Sequence, residues 1–166
     1  MKLVIIRHGP AGDRAEWEAE GGDDRLRPLT SEGKKEMRRV AEGLATLVPR
    51  IDLLATSPLV RAAQTAELVA SQYDCDTVTV ESLAPESDPK QVVNWLRSQR
   101  GDTVAVVGHE PDLSTLGCYL LAGDASSFLT LKKSGACLLE LNDPLGPGKA
   151  TLEWLLIPCV LKQLAK

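Results

Sequence analysis

The sequence predicts an α/β fold: a three-layer α/β/α sandwich on a mostly parallel sheet, with an antiparallel edge added late in the chain. Three observations predict it. Short apolar runs alternate with amphipathic segments through the first two-thirds of the chain, the order that builds parallel sheets. The runs Leu3-Val4-Ile5-Ile6 and Thr103-Val104-Ala105-Val106-Val107 carry almost no polar residue, as a strand covered on both faces requires. Near the end, Ala136 to Leu141 and Thr151 to Ile157 flank the turn-rich Asn142 to Gly148, which reads as a hairpin.

Met1 to Pro10, MKLVIIRHGP, opens the chain with the first strand, and the apolar run meets Arg7-His8-Gly9 without transition. This triplet stands at the strand's carboxyl end, where open α/β sheets bind ligands. Taken alone, His8 also fits a strand-end histidine packed against a loop. The second of the protein's two histidines changes that reading: His109 follows the strand Thr103 to Val107 as His8 follows the first. If both strands run parallel in one sheet, the two imidazoles emerge on the same edge.

Pro10 to Leu29 is polar, Gly-rich and longer than most loops; it reads as a solvated acidic flap or as an active-site rim. Asp13 can cap one short helical turn there. Arg27-Pro28-Leu29-Thr30 opens a helix with Thr30 as N-cap, and Met37, Val40, Ala41, Leu44 and Leu47 keep the spacing of one buried face until Pro49. Ile51 to Thr56 is the second strand. Ser57 reads as the N-cap and Pro58 as the first residue of the next helix, running to about Ser71. Arg61 falls in that helix's first turn, beside the positive end of its dipole. It is a surface arginine, or a cation held there to meet an anion. Thr77 to Val80 is the third strand, and the loop Leu83 to Pro89 brings Glu86 and Asp88 ahead of a helix to about Gln99. After His109, Pro111 begins a helix to Leu121.

The 166 residues make one domain spanning the whole chain, large enough for a single core. A net charge of −4 argues against a nucleic-acid surface, although a local basic pocket remains compatible with it. No apolar run approaches the roughly 20 residues of a membrane span, and the N-terminal run, interrupted by Arg7, is too short for a signal peptide. A cytoplasmic protein without nucleic-acid or membrane partners is expected. Cys75, Cys118, Cys137 and Cys159 form no C-x-x-C pattern and no Cys/His cluster, so neither a zinc site nor a disulfide is expected. Cys118, Cys137 and Cys159 lie in apolar surroundings and read as buried small hydrophobes.

Set side by side, the strand-end segments carry Arg7-His8, Ser57 through Arg61, Glu86 with Asp88, and His109. Two arginines, two histidines and a helix N-terminus suit a phosphate group. A histidine among them can act as a nucleophile, and the cations can stabilise the transferring phosphoryl group without a metal.

Arg7-His8-Gly9 after a strand, Ser57-Pro58 with Arg61, Ala62 and Thr65, Gly108-His109, and Arg27-Pro28-Leu29-Thr30 with Gly33 form four blocks over residues 3 to 111. Together they resemble the signatures of the histidine phosphatase superfamily, the phosphoglycerate-mutase-like proteins; the short length most resembles the SixA-type phosphohistidine phosphatases. The resemblance implies a phosphoglycerate-mutase-like fold and a phosphatase with no cofactor or metal. It implies that His8 takes the phosphoryl group, while Arg7, Arg61 and His109 bind its oxygens, His109 as a cation or sharing a proton. A carboxylate between the second and third motifs would donate the proton: Glu86 or Asp88, with Asp13 of the flap as a third candidate. The expected substrate is phosphohistidine on a partner protein, because the flap offers few apolar groups to enclose a small ligand. The alternatives are a small-molecule phosphate-ester phosphatase or mutase of the same superfamily, and an inactive phosphate-binding module.

Overall fold

The computed structural model describes residues 1–166. In chain order the elements are β1 (Lys2–Arg7), α1 (Arg14–Ala19), α2 (Ser31–Leu47), β2 (Leu53–Thr56), α3 (Val60–Ala70), β3 (Asp76–Thr79), α4 (Pro89–Arg97), β4 (Thr103–Gly108), α5 (Asp112–Ala122), β5 (Ala136–Leu141), β6 (Ala150–Leu156) and α6 (Pro158–Leu164). One six-stranded sheet runs in the order β3-β2-β4-β1-β5-β6. β1, β2, β3 and β4 are parallel, and β5 and β6 form the antiparallel edge. This is the expected arrangement: a mostly parallel sheet covered on both faces, with a late antiparallel edge.

The apolar runs of β1 and β4 follow from their place in the middle of the sheet. Successive side chains of a strand point to opposite faces, and both faces here are covered. Val4 and Ile6 pack with Met37, Val40, Leu44 and Ala66 on the side of α2, α3 and α6. Leu3 and Ile5 pack with Val93, Leu96, Leu116 and Leu120 on the side of α4 and α5. Each such aliphatic side chain, fully buried, contributes roughly 1.5–3 kcal/mol. The edge strand β3 is exposed along its whole length.

Several boundaries and burials differ from expectation. α3 starts at Val60, so Ser57 and Pro58 precede it; Leu59 occupies its N-cap position without a side-chain bond. Leu47 is exposed because α2 ends there, beyond the reach of the sheet. Cys159 is also exposed, on the short terminal helix that the sequence reading missed; all four cysteines are free. β2 begins at Leu53, two residues after Ile51, and β3 lies one residue earlier than Thr77 to Val80.

The flap is built, not loose. Asp13 caps α1 by accepting from Glu16 N, and Asp24–Leu26 forms a 3-10 turn. Thr30 caps α2 as expected, its hydroxyl accepting from Gly33 N at 2.9 Å. Gly33 lets that first turn lie against the flap, since a Cβ there would meet the Pro10 carbonyl oxygen at 2.2 Å. The buried Arg27 then gathers the flap, donating through Nη1 to the carbonyls of Ala11 at 3.1 Å and Gly12 at 2.9 Å.

Candidate active site

The parallel register of β1 and β4 sets Arg7 opposite Gly108. His8 and His109 each follow by one residue, and their rings lie with centroids 5.0 Å apart, tilted by 54°. His8 N donates to the Gly108 carbonyl at 3.1 Å, tying the two strand ends together. The imidazole of His8 is oriented from its far side: Nδ1 lies 2.7 Å from the Gly9 carbonyl oxygen. A carbonyl only accepts, so Nδ1 carries the proton and Nε2 keeps a free lone pair. Gly9 N donates to Thr65 Oγ1 at 3.1 Å, and Thr65 Oγ1 donates to the Arg61 carbonyl at 2.8 Å. That chain fastens the β1 loop to α3.

Arg61 is buried and held from the flap. Its Nη1 donates to the Asp24 carbonyl at 2.7 Å and its Nη2 to the Asp24 carboxylate at 3.1 Å. The other oxygen of that carboxylate accepts from Arg27 Nε at 2.8 Å. Burial works to raise the Asp24 pKa, but the Arg27 hydrogen bond and the charges of Arg61, Arg27 and Arg14 outweigh it and hold the carboxyl below its ordinary value. Arg7 is held by the segment after α5, donating through Nη1 to the Leu131 carbonyl at 2.7 Å. Three buried nitrogens on these side chains have no hydrogen-bond partner: Arg7 Nε, Arg61 Nε and His109 Nδ1. Buried donors are nearly always paired, and an orphan needs a reason. All three residues line one cavity of about 710 Å³, together with His8.

Both imidazoles are neutral in this pocket. Burial lowers the His8 pKa from 6.5 to about 4; Arg61, Arg7 and Lys133 add to the fall, while the Gly9 bond opposes it. Burial, then His8 and Arg61, lowers that of His109 to about 3. In the ligand-free site His109 is therefore neutral, chiefly because burial disfavours its charged form; the expectation that it is cationic or shares a proton concerns the phosphate-bound site. His109 Nε2 instead lies 2.8 Å from Ser57 Oγ, a fully buried hydroxyl that also accepts from Leu59 N at 3.3 Å. Ser57, expected as a helix cap, is thus a partner of His109.

Arg7, His8, Arg61, His109 and Glu86 all line the cavity. Glu86 is exposed and has φ of +67°, a left-handed conformation that costs a non-glycine residue about 1–2 kcal/mol. Its backbone is held there by its N–H, which donates to Asp112 Oδ1 at 3.1 Å. The other two carboxylate candidates serve helices. Asp88 caps α4 through Lys90 N, and Asp13, the α1 cap, lines a different cleft with Trp17. Sequence reasoning missed Asp24, the Thr65 link, Lys133 and the Ser57 contact. The Arg27 block was visible, but its carboxylate partner lay in an acidic flap with no pattern to single it out.

The chain is similar to known proteins in sequence and in fold. Residues 3–85 match the model of the histidine phosphatase superfamily (branch 1). An uncharacterised protein of Picosynechococcus sp. is 37% identical over 81% of this chain and 82% of its own length. The phosphohistidine phosphatase SixA of Escherichia coli is 29% identical over 98% of this chain and 97% of its own. A structure of the protein histidine phosphatase SixA complexed with tungstate superposes with a TM-score of 0.83 at 28% identity, covering 97% of this chain and 99% of that one.

Proposed function

Because this chain belongs to the histidine phosphatase superfamily (branch 1), we propose that it is a metal-independent phosphatase that removes phosphoryl groups from phosphohistidine on a partner protein. Similarity to SixA supports a phosphatase. One observation carries the reading furthest: Arg7, Arg61 and His109, each carrying a buried nitrogen without a hydrogen-bond partner, line the cavity that holds His8 with its Nε2 lone pair free. A phosphoryl group seated there supplies the acceptors those nitrogens lack. Tungstate, an oxyanion of similar shape, is expected to compete for the same seat.

In this mechanism His8 Nε2 attacks phosphorus in line with the bond to the leaving imidazole. The new N–P bond forms as the old one breaks, and its electron pair goes to the leaving nitrogen, which takes a proton from Glu86 in its acid form. Arg7 and Arg61 neutralise charge on the equatorial oxygens, a task that needs positioning and fixed charge more than covalent assistance. His109 donates to one of those oxygens. Water then attacks the phosphorus, giving its proton to the Glu86 carboxylate; phosphate leaves and the electron pair returns to His8 Nε2. The Gly9 carbonyl holds the His8 Nδ1 proton throughout, so the ring meets phosphorus with one nitrogen only. The leaving imidazole accepts a proton readily, which suits an acid on an exposed loop.

The test is turnover of a phosphohistidine peptide and of p-nitrophenyl phosphate with EDTA present, together with trapping of the phosphoenzyme. The expected result is activity unaffected by EDTA and an acid-labile, base-stable phosphoenzyme that is absent in a folded His8→Ala variant, which is itself inactive. An inactive wild type that binds phosphate, or a His8→Ala variant near wild-type activity, overturns the proposal.

A further inference from the structure

A second cleft, of about 450 Å³, opens beside the first and shares Arg7 and Lys133 with it. Lys132 and Lys133 form one wall; Ile157, Pro158 and Cys159 form the other. The catalytic chemistry above uses neither Lys132 nor the apolar wall.

The position of both walls is determined by the fold. Lys132 and Lys133 directly precede Ser134, whose N–H donates to the His8 carbonyl at 3.2 Å, so the lysines sit beside the candidate nucleophile. Ile157 and Pro158 open α6, which is tied to the same segment through one carboxylate. Glu36 accepts from Ser134 Oγ at 2.7 Å and from Lys162 Nζ at 3.2 Å, bridging the two walls. Ile157 is 42% exposed despite standing at a helix start, and neither lysine pairs with a carboxylate of this chain. On a chain of net charge −4, two unpaired lysines facing a short apolar wall at the mouth of the site form a local exception.

We propose that this cleft seats the stretch of partner polypeptide flanking the phosphohistidine, with an apolar side chain against Ile157 and Pro158 and one or more carboxylates against Lys132 and Lys133. The inference rests on the reading of a phosphohistidine protein as substrate. A phosphate ester small enough to be held around His8 does not reach Lys132. A polypeptide does, because its chain must leave the cavity, and the wall shared at Arg7 and Lys133 continues into the second cleft. Binding energy gathered there holds the reacting group in place, the use to which remote contacts are put in catalysis.

The experiment compares kcat/KM for two synthetic phosphohistidine peptides, one with Asp and Leu in the flanks and one with Ala throughout, and for p-nitrophenyl phosphate. The enzymes are wild type, Lys132→Glu and Ile157→Glu. Wild type is expected to prefer the Asp/Leu peptide at least about ten-fold, or about 1.4 kcal/mol. Each variant loses most of that preference while turnover of p-nitrophenyl phosphate stays within about two-fold. Should a variant fail to fold, alkylation of the exposed Cys159 thiol in a Cys75→Ser background reads the same cleft, because Cys118 and Cys137 are buried. Equal kcat/KM for the two peptides in wild type overturns the cleft proposal while leaving the phosphohistidine reading intact. Turnover of p-nitrophenyl phosphate with neither peptide hydrolysed overturns the phosphohistidine reading, and the cleft's role with it. A concentration-dependent dimer abolished by Ile157→Glu assigns the cleft to a second copy of this chain and likewise overturns the proposal.

Discussion

Replacing Arg61 with lysine keeps one positive charge in the pocket and removes the planar fork that carries it. In the structure that fork does two jobs. Nη1 and Nη2 hold Asp24, at 2.7 Å to its carbonyl and 3.1 Å to its carboxylate, while Nε remains buried without a hydrogen-bond partner on a side chain that lines the pocket. A lysine has a single nitrogen and must give up either Asp24 or the phosphoryl group. One lost charge-assisted hydrogen bond in a buried site is worth about 1.5–3 kcal/mol. An ammonium drawn toward the Asp24 carboxylate adds misplacement to that loss. The expected fall in kcat/KM is therefore roughly 10- to 1000-fold, about 1.4–4 kcal/mol of transition-state binding. Steady-state kinetics on p-nitrophenyl phosphate and on a phosphohistidine peptide measure it, with thermal unfolding as a control for the fold. Because the lost contact tightens as charge develops, kcat is expected to carry most of the fall. Kinetics within two-fold of wild type on both substrates would refute the reasoning and make Arg61 a structural tie for the flap alone.

Two further predictions concern stability. The His8 pKa, about 4 when folded against 6.5 unfolded, means that the unfolded chain binds more protons between those values. Stability is then fully present above pH 6.5 and falls as pH drops toward 4, by about 3 kcal/mol from His8 alone; His109 works in the same direction. Urea unfolding of wild type and of His8→Gln/His109→Gln across pH 7 to 4 checks it, and parallel losses in the two proteins would contradict it. Gly43→Ala is expected to destabilise by at least about 1–3 kcal/mol, since its Cβ would meet the Leu161 carbonyl oxygen at 1.8 Å and force α6 away from α2. An unchanged melting temperature would show that α6 is free to move.

The parts of this protein that were legible from sequence share one property: their signal is local. Leu3 to Ile6 and Thr103 to Val107 reveal central strands because burial on both faces leaves no position for polar residues. Thr30 is recognisable as a cap because its acceptor serves an amide three residues on. The late hairpin announces itself through turn residues, and β5 runs over the expected Ala136–Leu141. α6 escaped notice because it is short and only Leu161 is buried, leaving no period to read. Ser57 carried a genuine capping pattern, yet its hydroxyl lies against His109, a residue 52 positions away that no window around Ser57 contains.

By itself, then, the sequence determined which strands lie inside, that two histidines follow two of them, and that Arg7 and Arg61 stand at strand or helix ends; each follows from hydrophobic period and from the chemistry of neighbouring residues. Only the tertiary structure decided that Asp24 holds Arg61 across 37 positions, that the Gly9 carbonyl leaves Nε2 of His8 free, and that both imidazoles are neutral. It also decided which of three carboxylates reaches the cavity: Glu86, while Asp13 and Asp88 cap helices. The physical reason is that proton affinity and hydrogen-bond partnership depend on distance and burial in three dimensions. Segments far apart in the chain set both, and a polar residue in a loop carries no periodic trace of the partner it will meet.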